Sequence, residues 1–542
     1  MKRRNFIKLS ATASAIALLP SEVSAMLKQV GSLACPNFSN RKLVLIQLAG
    51  GNDGINTLVP MNQYDTYAQF RPTLRLPLGG THGLIQLDGS LAPEKQLGLH
   101  PALTGFKNLY ENGLLQIIQG VGYPNTNKSH FKSTDLWLSG GDGTIPNFDI
   151  QSGWTGRFLE NQFPDQLQAN YPLGIQLGSG DASLGFDGEH EHHLAININT
   201  QDANGYYSEL NGQSGTAPNP IPNSEYGDKL RYILEVDSAA NHYQTAVTTA
   251  FTKGKNVVQY PDTDLANQLK TVAKFISGDL ETKIYLVRLK GFDNHENQVR
   301  PEGSHLGIHA NLLQELSSAV NVFMLDLHKQ QLSDDVIALT FSEFGRKIAE
   351  NSNYGTDHGE VAPLFVFGKA IQPGVKGTNP NLSEATEENN FQVQTIQHDY
   401  RDVFGTLLQD WMGSSTAVLD RTLYDANLQR GFAQTKIEQV LQAPYAVPDF
   451  CRGDATPPKN VAEPRFYPNP CDTVVHLDLG PDLLLYKLAL YSDRGRLVVE
   501  RWNTTSDFNF SFSVADLAAG LYIAKTTTNH GVFTAKIYVV RN

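Results

Sequence analysis

Cysteine is scarce in this chain, with three residues among 542, at positions 35, 451 and 471. Such a small number excludes a disulfide-rich scaffold, and the wide spacing excludes a zinc ribbon. Cys35 and Cys451 bracket the larger part of the chain, so a bridge between them is one option in an oxidising compartment. The spacing does not settle the pairing, and any single bridge leaves one thiol over.

An excess of positive charge is also lacking. The chain has 43 Lys and Arg against 55 Asp and Glu, a formal net charge of −12. A nucleic-acid-binding protein needs a basic surface for the phosphates, so this balance argues against that class. No run reaches the roughly 20 apolar residues that a membrane-spanning helix needs. The length and the mean hydropathy of −0.30 predict a globular protein of two or three domains.

The first 25 residues follow the plan of a signal peptide. Lys2, Arg3 and Arg4 form a positive start, residues 11–19 are a short apolar run, and residues 23–25 offer small side chains for cleavage. The segment RRNFIK also resembles a twin-arginine signal, which exports proteins that have already folded. A general secretory signal with chance arginines is the alternative. Either signal predicts an exported protein that enters the periplasm.

A change in composition at residues 446–466 divides the chain. This stretch is dense in proline and polar residues, as linkers are. The alternating apolar and polar runs of residues 467–542 predict a small antiparallel β-sandwich. Its phrases YPNP, LYSDRGRLV, LAAGLYIAKT and AKIYVVRN resemble the C-terminal sorting domain of type IX secretion substrates. The resemblance implies that this secretion machinery moves the chain from the periplasm across the outer membrane of a Bacteroidetes-type cell, to be released or anchored at the surface. A generic carbohydrate-binding sandwich is the alternative.

The main body, residues 36–445, alternates apolar runs with helical patterns. Residues 305–329 repeat apolar side chains at three- and four-residue steps, which predicts an amphipathic helix. Near-continuous apolar runs predict strands that are buried on both faces, as in parallel sheets. These runs are residues 43–50, 114–122, 283–292, 335–344 and 363–368. The predicted fold class is therefore α/β, with a doubly wound, mostly parallel sheet covered by helices.

Side chains that bind metals follow or precede several of these strands, where open α/β sheets bind their ligands. GGNDG supplies Asp53 after the first strand. GFDNH supplies Asp293 and His295, which share one side if the chain stays extended. GTDHG supplies Asp357 and His358 before the last strand. Acids and histidines at several strand ends predict a site for one or more divalent metal ions, with Zn, Ca or Mg as candidates.

Two further motifs each have two interpretations. SEFGR brings the acid Glu343 and the guanidinium of Arg346 near one site. Arg346 suits bidentate binding of a phosphate or sulfate, and a structural Glu–Arg pair is the alternative. Ser129 precedes a helix-like stretch. It is either the N-cap of that helix or a hydroxyl nucleophile at a helix N-terminus, where an anion is welcome.

Taken together and in this order, the motifs resemble the family catalogued as domain of unknown function 1501. The resemblance covers residues 41 to about 413, and its phrases are QLAGGNDGINTLVP, KSHFKSTDLWLSG, GFDNHENQ, TFSEFGRKIAENSNYGTDHG and HDYRDVFGTLLQDWMG. That family looks like a branch of the alkaline phosphatase and sulfatase superfamily. The superfamily shares a doubly wound sheet and usually holds two divalent metals over a Ser, Thr or modified Cys nucleophile.

The resemblance implies a role for several residues. Ser129 falls near the place of the nucleophile. Phe344 stands where relatives have a histidine ligand, which leaves a one-metal site or a non-catalytic relative open. The positions that resemble metal ligands of the superfamily are Asp53, Asp293, His295, Glu343 and His358.

The predicted function is that of an exported metal-dependent hydrolase of phosphate or sulfate esters, acting on an anionic ester or glycan. Ser129 or a bound water would attack, while Arg346 and the metal hold the charge on the transferred group. The alternative is a non-catalytic surface-binding or assembly protein that keeps the fold. Phe344 favours the alternative, and the cluster of metal-binding side chains favours the enzyme.

Overall fold

A computed structural model gives the architecture of the chain. The described residues are 38–143, 152–178, 183–198, 242–423, 436–443, 445–448, 451–452, 464–479, 485–492, 497–502, 509–528 and 531–541. The predicted signal peptide lies outside them, as do Cys35 and part of the predicted linker. Cys451 is disulfide-bonded, and Cys471 is free and buried. Two compact units divide the chain, residues 1–453 and 454–542.

A large sheet organises the first unit. The strands of this unit are β1 (Lys42–Ala49), β2 (Leu58–Pro60), β3 (Ile85–Gln86), β4 (Leu97–Leu99), β5 (Leu115–Gly122), β6 (Gly174–Leu177), β7 (Ala195–Ile198), β8 (Ile284–Lys290), β9 (Val336–Phe341), β10 (Ala362–Phe367), β11 (Gly374–Lys376) and β12 (His398–Asp399). Among the described residues, nine of them form one sheet in the order β11-β5-β10-β9-β1-β8-β6-β7, with β12 also on β5. Strands β2, β3 and β4 form a small separate sheet.

The large sheet is parallel apart from one strand. The neighbouring pairs around β1, β6 and β8 are parallel, and β11 and β12 run parallel to β5. Strand β10 is antiparallel to both of its neighbours, β5 and β9. The amino end of β10 therefore lies at the edge where the other strands have their carboxyl ends.

Helices cover both faces of this sheet. Along β1, Val44 and Ile46 face one hydrophobic core, and Leu43 and Leu45 face the other, because successive side chains of a strand alternate. The first core receives the helices Thr104–Glu111, Asp264–Ser277 and Ile308–Lys329. The second receives His130–Ser139, Trp154–Gln162, Tyr400–Asp410 and Thr416–Leu423. The predicted doubly wound α/β sheet is confirmed.

Residues 242–253 are also helical, and shorter helical segments lie elsewhere in the first unit. They are the α-helices Gly54–Thr57 and Tyr64–Phe70, and the 3-10 helices Met61–Gln63, Pro93–Lys95, Pro164–Gln166, Ser183–Phe186 and Leu382–Glu384. None of the helices in the described part of the chain is both long and apolar enough to cross a membrane.

The predicted strand at 335–344 ends early, at Phe341. Beyond it, the chain bonds to the loop after β1 through side chains instead of a backbone ladder. The hydroxyl of Ser342 accepts a hydrogen bond from Asn52 N at 2.9 Å, and Glu343 Oε1 accepts one from Gly50 N at 2.8 Å. These bonds turn the last residues of the apolar run away from the sheet.

The second unit is an antiparallel β-sandwich, as predicted. Its strands are β13 (Arg465–Tyr467), β14 (Val474–Asp478), β15 (Leu485–Ser492), β16 (Leu497–Trp502), β17 (Asn509–Ser513), β18 (Gly520–Thr528) and β19 (Gly531–Val539). One sheet has the order β13-β14-β17 and the other β16-β15-β18-β19. Val475 of the first sheet shares a buried core with Leu488, Ala524 and Ile537 of the second, so each sheet covers the apolar face of the other.

Candidate metal centre

Several loops meet at one edge of the large sheet. Those that follow β1, β5, β8 and β9 leave from the carboxyl ends of their strands, which share an edge because these strands run in the same direction. The loop before β10 reaches the same edge, since β10 runs the opposite way. Each of the motifs identified in the sequence of the main body therefore lies at this edge.

Four side chains converge there. His130, Asp293, His295 and His358 each place one ligand atom so that all four atoms lie within 4.8 Å of one another. The Nε2 atoms of His130 and His295 are each 3.2 Å from Asp293 Oδ1, and that of His358 is 3.5 Å from it. Three imidazole nitrogens and a carboxylate oxygen form a donor set that transition metals bind. The group is a candidate metal centre.

The other ring nitrogen of each histidine is held from outside the centre. His130 Nδ1 lies 2.8 Å from Glu343 Oε1, and His295 Nδ1 lies 3.3 Å from Asp357 Oδ1. The Nδ1 of the third histidine lies 2.8 Å from the carbonyl oxygen of Lys128. Carboxylates and carbonyls accept hydrogen bonds, so these contacts favour the tautomer with a proton on Nδ1. Each Nε2 lone pair then points into the centre, which is the usual arrangement around metal-bound histidines.

The donor atoms fit a bound cation. His130 Nε2 is buried and makes no hydrogen bond, although it faces Asp293 Oδ1 at 3.2 Å, and its lone pair and the carboxylate oxygen need a proton or a cation between them. His295 Nε2 and His358 Nε2 are 2.8 Å apart, and two lone pairs at that distance need a proton or a cation between them. A metal ion bound by these nitrogens would satisfy all three.

Water has access to the centre. The side chain of Asp293 is 50% exposed and that of His295 is 44% exposed, while those of His130 and His358 are 28% and 21% exposed. A bound ion would therefore be open to ligands from solution. That openness is typical of catalytic sites, whereas structural sites are usually closed by the protein.

Glu343, which we predicted as a metal ligand, anchors His130 instead of joining the four converging atoms. It is buried, and its Oε1 also accepts a hydrogen bond from Gly50 N at 2.8 Å. Its backbone oxygen accepts hydrogen bonds from Ser133 Oγ and Trp137 Nε1 at 2.6 and 2.9 Å. The hydrogen bond with Glu343 raises the pKa of His130. Asp357 has the corresponding position beside His295.

Asp53, another predicted ligand, lies in a buried ion pair and outside the group of four. Its Oδ2 is 2.6 Å from Arg71 Nη1, and both side chains are almost completely buried. Gln298 Nε2 donates to the same oxygen at 2.6 Å. Burial alone would raise the pKa of Asp53, but the charge and hydrogen bond of Arg71 lower it. The carboxylate already has a cation as its partner.

Arg346, which we predicted to bind the substrate anion, clamps three loops together. Its Nε donates to the carbonyl of Gly51 at 2.8 Å, and its Nη1 to that of Thr356 at 2.7 Å. Its Nη2 donates to the carbonyl of Phe292 at 3.0 Å and to Asp293 Oδ1 at 2.9 Å. Burial alone would raise the pKa of Asp293, but the hydrogen bond from Arg346 and the nearby imidazoles hold it at about 2.

Phe344 forms a wall of the centre. Its ring centroid is 4.8 Å from that of His130 and 4.6 Å from that of His358. The loop after β1 can pass this ring because Gly51 has φ +76° and no side chain; a Cβ there would lie 2.5 Å from the ring. The side chain at the position where the resemblance implied a histidine thus packs against two of the three histidines of the centre.

His130 was not singled out from the sequence, although it directly follows the nucleophile candidate Ser129. It is the first residue of the helix after β5, at the same edge as the other ligands. Ser129 occupies the N-cap position of that helix, but its side chain makes no capping hydrogen bond. The residue is exposed. Its hydroxyl therefore does not cap the helix, which was the structural alternative to a catalytic role.

Two family models match the chain. Residues 274–419 match the family described as "Protein of unknown function (DUF1501)", and residues 465–540 match "Secretion system C-terminal sorting domain". Both resemblances predicted from the sequence are thus confirmed over these residues. The sorting domain indicates a secreted or cell-surface protein. No curated protein is significantly similar to the chain.

Solved structures of the alkaline phosphatase and sulfatase group show a distant similarity. A protein in the alkaline phosphatase superfamily from Vibrio parahaemolyticus has 12% identity, covers 93% of this chain and 82% of its own, and has a TM-score of 0.31. The PsFucS1 sulfatase from Pseudoalteromonas sp. has 10% identity, coverage of 92% and 90%, and a TM-score of 0.32. At such scores the similarity carries no conclusion about the activity of this chain.

We expect the Arg71–Asp53 pair to be essential for stability. Arg71→Met leaves a buried carboxylate without its cation, which should lower the free energy of unfolding by about 3–5 kcal/mol. The double variant Arg71→Met/Asp53→Asn should recover part of this loss. Lys369→Met, which breaks the exposed surface pair with Asp334, should cost less than about 1 kcal/mol. Urea unfolding followed by tryptophan fluorescence measures all three variants; equal losses for Arg71→Met and Lys369→Met would contradict the expectation.

Proposed function

We propose that the chain is an exported metal-dependent hydrolase of phosphate or sulfate esters. The observation that carries the proposal is the convergence of three histidine Nε2 atoms on one oxygen of Asp293, with each histidine fixed through its Nδ1. Such anchored donor sets are typical of metal sites, and an exposed metal site suits hydrolysis. The match to a secretion sorting domain supports export.

His130, Asp293, His295 and His358 would hold the ion. Three imidazoles favour zinc over calcium or magnesium, because the latter two prefer ligand sets made of oxygen atoms. We infer one ion per chain. The two other acids that the resemblance implies as ligands have partners of their own, since Asp53 is paired with a buried guanidinium and Glu343 holds His130.

Ser129 is the nucleophile in this proposal. When bound, the ion would stabilise negative charge on the reacting oxygens and favour loss of the hydroxyl proton. The Ser129 oxygen forms a bond to phosphorus or sulfur as the ester bond breaks, and the proton passes through solvent to the leaving oxygen. Water then splits the seryl ester, restores the hydroxyl and releases the acid. One water molecule is consumed for each ester.

Glu343 and Asp357 are positioning residues in this proposal. By accepting the Nδ1 protons of His130 and His295, they fix the two rings and make Nε2 a stronger donor. Glu343 is itself held by Gly50, so the ring of His130 is tied to the loop after β1. Arg346 acts in the same way on Asp293.

We further propose that the segment 1–25 directs the chain to the periplasm and that the type IX machinery then recognises the C-terminal domain. A twin-arginine route would allow the ion to be bound before export, because that route carries folded proteins. An anionic ester or glycan outside the cell would be the substrate.

Metal content tests the centre. We expect about one zinc ion per purified full-length chain, measured by elemental analysis after dialysis. His130→Ala should weaken binding by at least roughly 10–100-fold, since it removes a donor. His328→Ala is the matched control, because His328 is an exposed histidine outside the group. A chain that stays metal-free after incubation with zinc would contradict the proposal.

Ser129→Ala separates chemistry from metal binding. The variant should keep its zinc and its thermal stability, because the hydroxyl makes no capping bond. Its kcat towards 4-nitrophenyl esters of phosphate and sulfate should fall by about 100-fold or more. An unchanged kcat would exclude Ser129 as the nucleophile. Stoichiometric zinc with no turnover of any ester in the wild type would favour the non-catalytic binding or assembly role.

A further inference from the structure

The cationic side chains around the centre are engaged by the protein itself. The guanidinium of Arg346 bonds to backbone carbonyls and to Asp293, as described above. Lys347 Nζ lies 3.2 Å from Asp357 Oδ2 and 2.9 Å from Asn390 Oδ1. Their charges are therefore compensated, and a substrate anion would have to compete with these partners.

Lys128 is engaged as well. Its carbonyl holds His358, so the residue lies directly beside the centre. Its Nζ is 3.0 Å from Glu360 Oε1, and this pair is partly exposed. The amine nearest in the chain to Ser129 is thus neutralised by a carboxylate.

The balance of charge at the centre follows from these contacts. Among the described residues, the carboxylates in contact with the three histidines are those of Asp293, Glu343 and Asp357, and the cations paired with them are Arg346 and Lys347. Three acids against two bases leave one negative charge while the imidazoles are neutral. A bound divalent ion changes this to one positive charge.

We propose that this centre selects esters with a single negative charge and discriminates against phosphate monoesters. The proposal rests on the proposed function and specifies its substrate class. A phosphate monoester carries nearly two negative charges above its second pKa of about 6. Sulfate monoesters and phosphate diesters carry one charge on a similar tetrahedral group. The net charge of the loaded centre is one positive charge, which compensates the single negative charge of either of these two esters. The second negative charge of a phosphate monoester has no such partner, because the cations described above are already paired with the protein's own groups.

Three esters with the same leaving group test the selection: 4-nitrophenyl sulfate, methyl 4-nitrophenyl phosphate and 4-nitrophenyl phosphate. With the zinc-loaded full chain at pH 8, kcat/KM for one of the singly charged esters should exceed that for the phosphate monoester by about tenfold or more. Comparing kcat/KM for the sulfate with that for the phosphate diester shows which of the two singly charged esters the chain hydrolyses. A preference for the phosphate monoester would overturn the proposal and leave the hydrolase function standing.

A charge variant removes the effect of intrinsic ester reactivity. Glu360→Gln frees the amine of Lys128, and it should shift selectivity towards the phosphate monoester by about fivefold, the effect of one nearby charge in water. Glu111→Gln is the matched control, because it removes the same group from a surface pair at the end of the helix Thr104–Glu111, which leads into the amino end of β5, whereas the centre lies beyond its carboxyl end. Equal selectivity in both variants would contradict the charge argument.

Binding without turnover separates the two proposals. Phenylphosphonate carries two charges at pH 8 and its monomethyl ester carries one, and neither is expected to react. In calorimetric titrations of the zinc-loaded chain, Glu360→Gln should tighten phenylphosphonate several-fold relative to the monomethyl ester, and Glu111→Gln should not. If no ester is hydrolysed but this difference appears, the hydrolase function fails and the charge selection stands. If esters are hydrolysed and the difference is absent, the charge selection fails.

Discussion

The buried guanidinium of Arg346 is the constraint on which the centre depends. One planar group binds the loop after β1, the loop after β8 and the loop before β10. A buried charge is costly unless hydrogen bonds satisfy it, and here backbone carbonyls and Asp293 do so. Because the donors of arginine have a fixed geometry, the clamp fixes the position of Asp293. That position is the point at which the three imidazoles meet.

The sheet brings the ligands together. Parallel strands deliver His130, Asp293 and His295 to one edge, and the reversed strand β10 delivers His358 to the same edge. Loops from different strands can approach this closely because Gly50 has φ +121° and no side chain. A Cβ there would lie 2.3 Å from the backbone nitrogen of Asp293. The strand order and the close backbone contact therefore bring the four ligands together without the help of a bound ion.

Much of this could be predicted from the sequence, because near-continuous apolar runs identify buried strands and ligand-type residues mark their ends. The antiparallel direction of β10 could not be predicted, because an apolar run indicates a buried strand without indicating its direction in the sheet. His130 was not identified from the sequence, because the functional role in that motif was assigned to its neighbour, Ser129. The partner of Asp53 is Arg71, which belongs to no motif, and a sequence does not give the distance between the two. Because a sequence gives no distances, it also could not show that Glu343 contacts the Nδ1 atom of His130 and lies outside the group of four ligands.

Anomalous diffraction at the zinc absorption edge, from crystals of the zinc-loaded chain, would show which side chains bind the ion. We expect one peak about 2.0–2.1 Å from the Nε2 atoms of His130, His295 and His358, and about 2.0–2.2 Å from an oxygen of Asp293. Glu343 and Asp357 should remain on the Nδ1 atoms, outside the coordination sphere. A peak bound by Asp53 in place of these residues, or no peak at this edge of the sheet, would contradict this assignment of the ligands.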